Sequence, residues 1–534
     1  MKFAYYVVFA FLTLFTPLAF GGSEPWGLLI FNFTCLAFSG VVLFRRREIS
    51  YTPLAKVVLS LLSFIVILSF LQLLNQHNFL QKPAYLPFTL CRYFSLEGLS
   101  LLFSLSMLYF ALTQVVSHGN EIKKLILINT VSAVITTIVA IGFGTDYIYT
   151  LTDVTLYSSF GPFSSRNHGA QFVMISFFLS LFLWLPHLIL VKNERLPKRN
   201  VAPLICSVIL FIGVFFTHSR GGVIALLLGI FVLCFLCFLY LIKTSTQKII
   251  TLILLVLVFM VSVHLLVNYS TALGLRQFGG GSDTARMALY TAAIDMLKDF
   301  PFTGVGFDAF SGAIDAYIPF NLKAFPRYLH NDWLELVLSF GYVFGAVIFA
   351  YIGIIVTRII FSFKGLSAKK QIRLFILCAG LSGFAFTGIV DFPFHLPACA
   401  LLFFLTLAFA SAKTFNKKIR TANLHITLKV ILVCLSCFLL WQNFEYVRAW
   451  RNFVFVKQLA PRIQAQELSK SLEYHPSLTY IRYTLNGKYK MFTSKSISEE
   501  ERAIIKEDLH NLAGEYLKQY PKDTTISRLF VLTK

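Results

Sequence analysis

Polar residues that could bind an anion or move a proton are gathered in a few short clusters of an otherwise apolar chain. They occupy residues 164–168 (Ser-Ser-Arg-Asn-His), 217–222 (Thr-His-Ser-Arg-Gly-Gly), 283 and 286 (Asp and Arg), 328–332 (Tyr-Leu-His-Asn-Asp) and 391–395 (Asp-Phe-Pro-Phe-His). Arginine presents a planar pair of donors to phosphate, and histidine can take up a proton near neutral pH. The clusters therefore favour a site that binds a phosphate-bearing group and moves a proton.

Arg220 is the most informative single residue because it interrupts an apolar stretch. A charge in a membrane helix costs several kcal/mol unless it reaches water or a partner. The adjoining Gly221 and Gly222 permit a tight reversal and a close approach of backbone N–H groups to an anion. The alternative is a structural arginine that extends to the lipid headgroups. Arg220 alone supports both interpretations equally, and the neighbouring clusters favour function.

His330 has two interpretations as well. It could be a general base, or it could simply precede a helix whose N-cap is Asn331 or Asp332. A zinc site is disfavoured because no two histidines have a ligand spacing such as HxxxH. The histidines considered for it are His168, His218, His330 and His395. We therefore predict no metal ligands.

The elements that position these clusters are predicted to be membrane helices. Of 534 residues, 57% are hydrophobic and 13% charged, against about 25% charged in soluble domains. Apolar runs of the length that spans a bilayer predict an all-α polytopic membrane protein with thirteen helices. These are 3–20 (an uncleaved first helix), 25–44, 55–74, 98–117, 124–144, 169–191, 202–217, 222–242, 249–267, 333–356, 374–390, 396–412 and 426–443.

The basic residues set the expected orientation. The net charge of +22 does not indicate nucleic acid, because the basic residues lie in short loops between apolar runs rather than on one soluble face. With the N-terminus in the cytoplasm, cytoplasmic loops hold twenty-one basic residues and the opposite short loops four, as the positive-inside rule requires. This orientation places every cluster on the external side of the membrane, opposite the cytoplasm.

Two domains are predicted. Residues 1–443 form the membrane domain, which includes a long external loop over 268–332 with an amphipathic helix at 283–297 that ends near Pro301. Residues 444–534 form an external helical tail with helical spacing at 464–474 and 499–520. The tail weakly resembles tetratricopeptide hairpins, and a plain helical tail fits it equally well. The nine cysteines are interpreted as packing residues rather than a disulfide framework.

The order and spacing of the clusters resemble the O-antigen ligase/polymerase superfamily of bacterial membrane glycan transferases. The resembling segments are 161–163 with 166–170, 217–222, Arg286 leading into 299–306, and 330–332 followed by Gly341. These motifs cover roughly residues 160–345, and the helix count and the long late loop extend the likeness over most of the membrane region. The segment 391–393 and the tail resemble a subgroup with tetratricopeptide-like extensions.

The resemblance implies a GT-C-like bundle that takes a glycan from undecaprenyl diphosphate on the periplasmic face. Arg220 and Arg286 would hold the diphosphate, and His330 would activate the acceptor hydroxyl. Arg276 and Arg327 are rivals to Arg286. The implied reaction is inverting and independent of metals and cofactors. Further substrate-binding residues would be Arg166, Asn167, His168, Ser219 and Asp332.

The acceptor stays open. A ligase would deliver the glycan to a lipid A core sugar, a polymerase would extend a carrier-bound chain, and an O-oligosaccharyltransferase would modify a protein. We favour the ligase type. A lipid or solute transporter would instead carry ionisable residues near the membrane midplane and paired repeats. A non-catalytic scaffold would give no reason for Arg220, Arg286 and His330 to share one face.

Overall fold

The computed structural model is a bundle of helices with a single small sheet in the part of the chain that it describes. The described residues are 2–75, 86–116, 119–144, 159–190, 198–241, 245–268, 281–314, 317, 326–416, 419–456, 484–485, 488–489, 491–493, 498–519 and 524–533. The helices are α1 (Lys2–Leu18), α2 (Pro25–Arg45), α3 (Pro53–Leu74), α4 (Arg92–Val115), α5 (Gly119–Phe143), α6 (Arg166–Leu190), α7 (Lys198–Phe216), α8 (Arg220–Leu241), α9 (Ser245–Asn268), α10 (Gly281–Asp299), α11 (Phe310–Ala313), α12 (Asp332–Ser362), α13 (Ala368–Val390), α14 (Pro397–Ala410), α15 (Ile426–Val456), α16 (Glu499–Gln519) and α17 (Thr524–Leu532). Short 3-10 helices cover Phe20–Gly22 and Pro393–His395, and strands β1 (Glu48–Tyr51) and β2 (Arg420–Asn423) pair antiparallel.

The prediction of an all-α polytopic membrane protein is confirmed. Among the described residues, nine helices are long and apolar enough to cross a membrane, and four apolar helices are shorter. Each of the thirteen predicted helices has a counterpart among them. The main differences are at the ends: α4 begins at Arg92 rather than near residue 98, and α15 continues to Val456 rather than ending near 443.

One end of the bundle carries the polar clusters, and we call it the site end. Helices α6, α8 and α12 begin there, at Arg166, Arg220 and Asp332, and α13 ends there at Val390. The β1–β2 pair lies at the opposite end, between α2 and α3 and between α14 and α15 in the chain. The alternating helix directions therefore bring together clusters that are far apart in sequence.

Close packing among α6, α8 and α13 fixes the positions of these helix ends. A Cβ atom added at Gly222 would lie 2.3 Å from the Cβ of Ala170 on α6. One added at Gly383 on α13 would lie 2.8 Å from the carbonyl oxygen of Ala225 on α8. Small residues allow membrane helices to approach this closely. Helices α6, α8 and α13 are therefore held together near the site.

A turn at Gly304 and Gly306 docks the loop onto α12. Both glycines have positive φ, and Gly306 N–H donates to the carbonyl of Ser339 at 3.2 Å. Helix α12 is kinked at Gly341, where φ is 71° and an added Cβ would lie 2.5 Å from the Phe302 carbonyl carbon. Only a residue without a side chain fits such a contact easily. The loop after α10 is thus anchored to the helix that follows His330.

Helix α10 matches the predicted amphipathic helix 283–297, and its apolar face packs in a cluster with the tail. Leu289 and Met296 of α10 are buried in the same hydrophobic cluster as Leu509 and Tyr516 of α16. The helix predicted at 499–520 is therefore present as α16. The helix predicted at 464–474 lies outside the described residues.

Candidate active site

His330 stands immediately before α12 with its ring directed at a carboxylate. Its φ of 57° is a left-handed conformation that is uncommon for residues with a side chain. The hydroxyl of Tyr290 on α10 donates to the His330 carbonyl oxygen at 2.9 Å, and Asn331 caps α12 by accepting from the Leu334 N–H. Of the two residues predicted as N-cap, Asn331 and Asp332, the structure has Asn331. This cap and Tyr290 together hold the segment that carries the imidazole.

The partner of His330 is Asp391, directly after α13. His330 Nδ1 lies 3.1 Å from Asp391 Oδ1, and the imidazole is 35% exposed while the carboxylate is buried. Burial raises the pKa of Asp391, but the hydrogen bond from His330 and the nearby His168 and Arg286 outweigh burial and lower it to about 2. An ionised carboxylate only accepts hydrogen bonds. Nδ1 of His330 therefore carries a proton, and in the neutral ring Nε2 is left as the acceptor.

Arg286 lies on α10, one turn before Tyr290. Its guanidinium is half-buried, and its charge lowers the pKa of Asp391. Burial raises the pKa of Tyr290, and the charge of Arg286 opposes this effect. Arg286 is therefore close enough to the His330–Asp391 pair to act on it electrostatically. Of its predicted rivals, Arg276 lies outside the described residues.

Arg327, the other rival, is engaged elsewhere. Its two terminal nitrogens donate to the Asp308 carboxylate at 3.0 and 2.9 Å, and Nη2 also lies 3.5 Å from Glu97. The guanidinium stacks over Phe94 at 3.8 Å from the ring centroid. These contacts use the donor fork that a diphosphate would need, which favours Arg286 over Arg327 as the second phosphate ligand.

Arg220 opens α8, and its position is fixed by its neighbours. Ser219 is the N-cap, because its Oγ accepts the Gly222 N–H at 3.2 Å. The same hydroxyl donates to Asn167 Oδ1 at 2.8 Å, which joins the start of α8 to the start of α6. An added Cβ at Gly221 would meet Val390 at 3.5 Å, one residue before Asp391. Arg220 therefore lies at the same helix junction as Asp391, and its side chain is half-buried.

Two other predicted residues of the first cluster surround this junction. Arg166 is the first residue of α6 and is half-buried. His168 is buried, with Nε2 3.9 Å from Asp391 Oδ1 and its ring 4.7 Å from that of Phe392. His330 also contacts Phe392 at 4.7 Å between ring centroids. The two imidazoles thus face one carboxylate and one aromatic ring.

Asp332 faces a different partner. Its Oδ1 lies 2.9 Å from His395 Nδ1, and its Oδ2 accepts the Phe394 N–H at 3.1 Å. Burial lowers the pKa of His395, but Glu335, Asp332 and Asp308 outweigh burial and raise it to about 9. Asp332 was predicted to bind substrate. In the structure both of its oxygens are used to hold the segment after Asp391.

Sequence reasoning named the 391–395 cluster but gave Asp391 no role. The only feature of the sequence that points to Asp391 is that a charged residue follows an apolar run. Glu97 and Asp308, which pair with Arg327, were not singled out at all. Glu97 is a lone acid in α4, and Asp308 has a positive φ of 56°, but neither feature indicates a partner.

The structure defines the protein as an all-α membrane bundle with arginines, a histidine and a buried carboxylate at one end. Residues 205–350 match a protein-family model described as O-antigen ligase. This match confirms the resemblance to the O-antigen ligase/polymerase superfamily. The family indicates an enzyme of the glycosyltransferase or ligase type. No curated protein matches the chain.

Proposed function

We propose that the protein transfers a glycan from undecaprenyl diphosphate to an acceptor hydroxyl in the periplasm, as an O-antigen ligase that modifies a lipid A core sugar. The observation that carries this proposal is the 3.1 Å contact between His330 Nδ1 and Asp391 Oδ1. It leaves Nε2 as a base at the end of the bundle where Arg220 begins α8. The matched region, 205–350, contains His330, Arg220 and Arg286.

In the proposed step the acceptor oxygen attacks the anomeric carbon from the face opposite the diphosphate. The acceptor O–H proton passes to His330 Nε2 as the new C–O bond forms. The bond between the anomeric carbon and the diphosphate oxygen breaks, and its electron pair leaves on that oxygen. The configuration at the anomeric carbon is inverted. Asp391 stays ionised and stabilises the imidazolium that results.

Arg220 and Arg286 would bind the diphosphate and neutralise the charge that develops on the leaving oxygen. Charge-assisted hydrogen bonds from guanidinium to phosphate are among the strongest that proteins make. Loss of one donor that stabilises a developing oxyanion typically costs about 100- to 1,000-fold in kcat. Arg166 and the Ser219–Asn167 pair would contribute to the same diphosphate-binding site, and the step itself uses no metal or cofactor.

Orientation follows from the positive-inside rule. The N-terminus would be cytoplasmic, and the site end and the tail would be periplasmic, in the inner membrane. This arrangement suits a donor that arrives already activated on its lipid. A nucleotide-sugar site is then unnecessary.

The test is genetic replacement followed by glycan profiling. In a strain without the protein, we expect loss of long glycan from lipid A, which wild-type protein restores and Arg220→Ala or His330→Ala does not. Arg451→Ala and His425→Ala are matched controls, since both side chains are exposed. All four variants should insert into the membrane in equal amounts.

Other outcomes would redirect or refute the proposal. Lipid A glycans of altered chain length would indicate a polymerase, and loss of glycan from proteins alone would indicate a protein transferase. Wild-type transfer by Arg220→Ala or His330→Ala would refute the assigned roles.

A further inference from the structure

A second polar group lies beside the proposed active site and has no part in the proposed step. His395 Nε2 faces Glu335 Oε1 at 3.5 Å and Asp308 Oδ1 at 3.7 Å. One possible ligand atom from each of the three residues lies within 4.8 Å of the other two. In a tetrahedral site with bonds of about 2.0–2.1 Å, neighbouring ligand atoms are separated by about 3.4 Å. The two distances from the imidazole nitrogen are close to that spacing.

Each of the three side chains is held by a further partner, as metal ligands are. His395 presents Nε2 because its Nδ1 is bonded to Asp332 at 2.9 Å. Glu335 accepts the Leu329 N–H through Oε2 at 2.9 Å, which leaves Oε1 directed at the imidazole. Asp308 is oriented by Arg327. Such outer partners fix the tautomer and direction of ligands in metal sites.

The buried oxygen of Glu335 points independently to a missing ligand. Among the described residues Oε1 accepts no hydrogen bond and has only the 3.5 Å contact with His395 Nε2; it is inaccessible to solvent, and Glu335 as a whole is 2% exposed. A buried polar atom without a partner is costly. Nothing in the proposed glycan transfer uses this oxygen.

The charge balance points the same way. In the described part of the chain, four carboxylates (Glu97, Asp308, Asp332 and Glu335) face one guanidinium and one imidazole. The carboxyl groups outnumber the basic groups by two in this largely buried cluster. A divalent cation would supply positive charge there. Burial of uncompensated charge is unfavourable.

We propose that Asp308, Glu335 and His395 bind a divalent transition-metal cation, with zinc the best fit. One imidazole with two carboxylates is a ligand set for such metals rather than for Mg²⁺, which prefers oxygen ligands alone. The three residues are among those that line a cavity of about 900 Å³. Tyr328 and Phe392 stack between this group and His330 at 4.5 Å. The cation would therefore hold the 391–395 segment in place rather than touch the reacting atoms.

The experiment measures metal binding to the full-length protein in detergent, purified without a histidine tag and stripped with a chelator. Zn²⁺ is titrated and the bound metal is counted after gel filtration. Co²⁺ serves as a spectroscopic probe, because its visible absorption reports the coordination of the bound ion. We expect one Zn²⁺ per chain and a Co²⁺ spectrum typical of four-coordination.

Three variants and a control make the result specific. His395→Gln and Glu335→Gln should abolish stoichiometric binding. Asp332→Asn removes an outer partner and should weaken binding about 10- to 100-fold. His425→Gln, an exposed histidine at the opposite end of the bundle, should bind as wild type does. Glu335→Gln is nearly isosteric, so it covers the case in which His395→Gln fails to fold.

The proposal is overturned if the wild-type protein binds less than stoichiometric Zn²⁺ at micromolar concentration, because a proton and not a metal then occupies Nε2. It is equally overturned if monodisperse Glu335→Gln protein binds like wild type. Neither result bears on glycan transfer, which depends on His330 and the two arginines.

Discussion

Replacing Asp391 with asparagine tests how the geometry makes His330 a base. The substitution keeps the size of the side chain and removes its charge. The carboxylate accepts from His330 Nδ1 at 3.1 Å and lies near His168 at 3.9 Å. The carboxamide can still accept through its oxygen, but it can also turn its NH₂ group towards Nδ1. That second arrangement forces the proton onto Nε2 and removes the base.

The magnitude follows from the bond that is lost. A hydrogen bond to a charged group contributes about 1.5–3 kcal/mol, and each 1.36 kcal/mol in the barrier is about tenfold in rate. Because the imidazolium forms only as the proton is transferred, the loss falls on the chemical step. We therefore expect Asp391→Asn to lower kcat about 10- to 150-fold and to change KM little.

The assay is glycan transfer by purified protein under saturating donor, with a double-mutant cycle. Asp391→Asn should have no further effect in a His330→Gln background, because the base it positions is already absent. Asp295→Asn is the matched control, since Asp295 is an exposed acid on α10 that pairs only with Lys298 in the described residues. Wild-type kcat in Asp391→Asn, or additive losses in the double mutant, would refute the coupling.

Three further predictions concern stability, measured by thermal unfolding in detergent. Gly222→Ala should destabilise the protein by about 1–3 kcal/mol, because the added Cβ would lie 2.3 Å from that of Ala170. Gly353→Ala is the control and should leave stability unchanged, because nothing lies within 4 Å of the added Cβ. Equal melting temperatures of the two variants would contradict the packing. Arg327→Leu should lower the free energy of unfolding by about 3–5 kcal/mol, because its buried carboxylate partners lose their cation. A loss no larger than that of Arg451→Leu, which replaces an exposed arginine, would contradict this. The pKa of Asp391 is lowered from 3.8 to about 2 in the folded protein. Ionised Asp391 therefore contributes about 2 kcal/mol of stability above pH 4, which is lost as the pH falls towards 2. Asp391→Asn should weaken the dependence of melting temperature on pH in this range, and an unchanged dependence would show that Asp391 is not its source.

Much of the fold was predictable because an apolar run of bilayer length has few alternatives to forming a membrane-spanning helix. The same holds for the amphipathic helix α10, whose periodicity places Leu289 and Met296 on one buried face. A helix start at Asn331 or Asp332 could also be predicted, since a short polar side chain before an apolar run is typical of an N-cap. These features depend on local sequence.

The contacts that define the site are not local. His330 and Asp391 are 61 residues apart, and Arg327 and Glu97 are separated by 230. Spacing along the chain carries no information about such pairs, because they form only when α4, α12 and α13 pack. The sequence could therefore show that His330 is suited to be a base, but not which carboxylate orients it. It also could not show that Arg327 is taken up by Asp308.

The most direct test of the proposed chemistry is a reconstituted transfer reaction. Purified protein in lipid vesicles is given an undecaprenyl-diphosphate-linked glycan and lipid A core, and both products are followed. We predict that wild-type protein releases undecaprenyl diphosphate in equal amount to the glycan gained by the acceptor, and that His330→Ala releases none. Transfer by His330→Ala at the wild-type rate, or no transfer by wild-type protein to lipid A core, glycan or protein acceptors, would contradict the account.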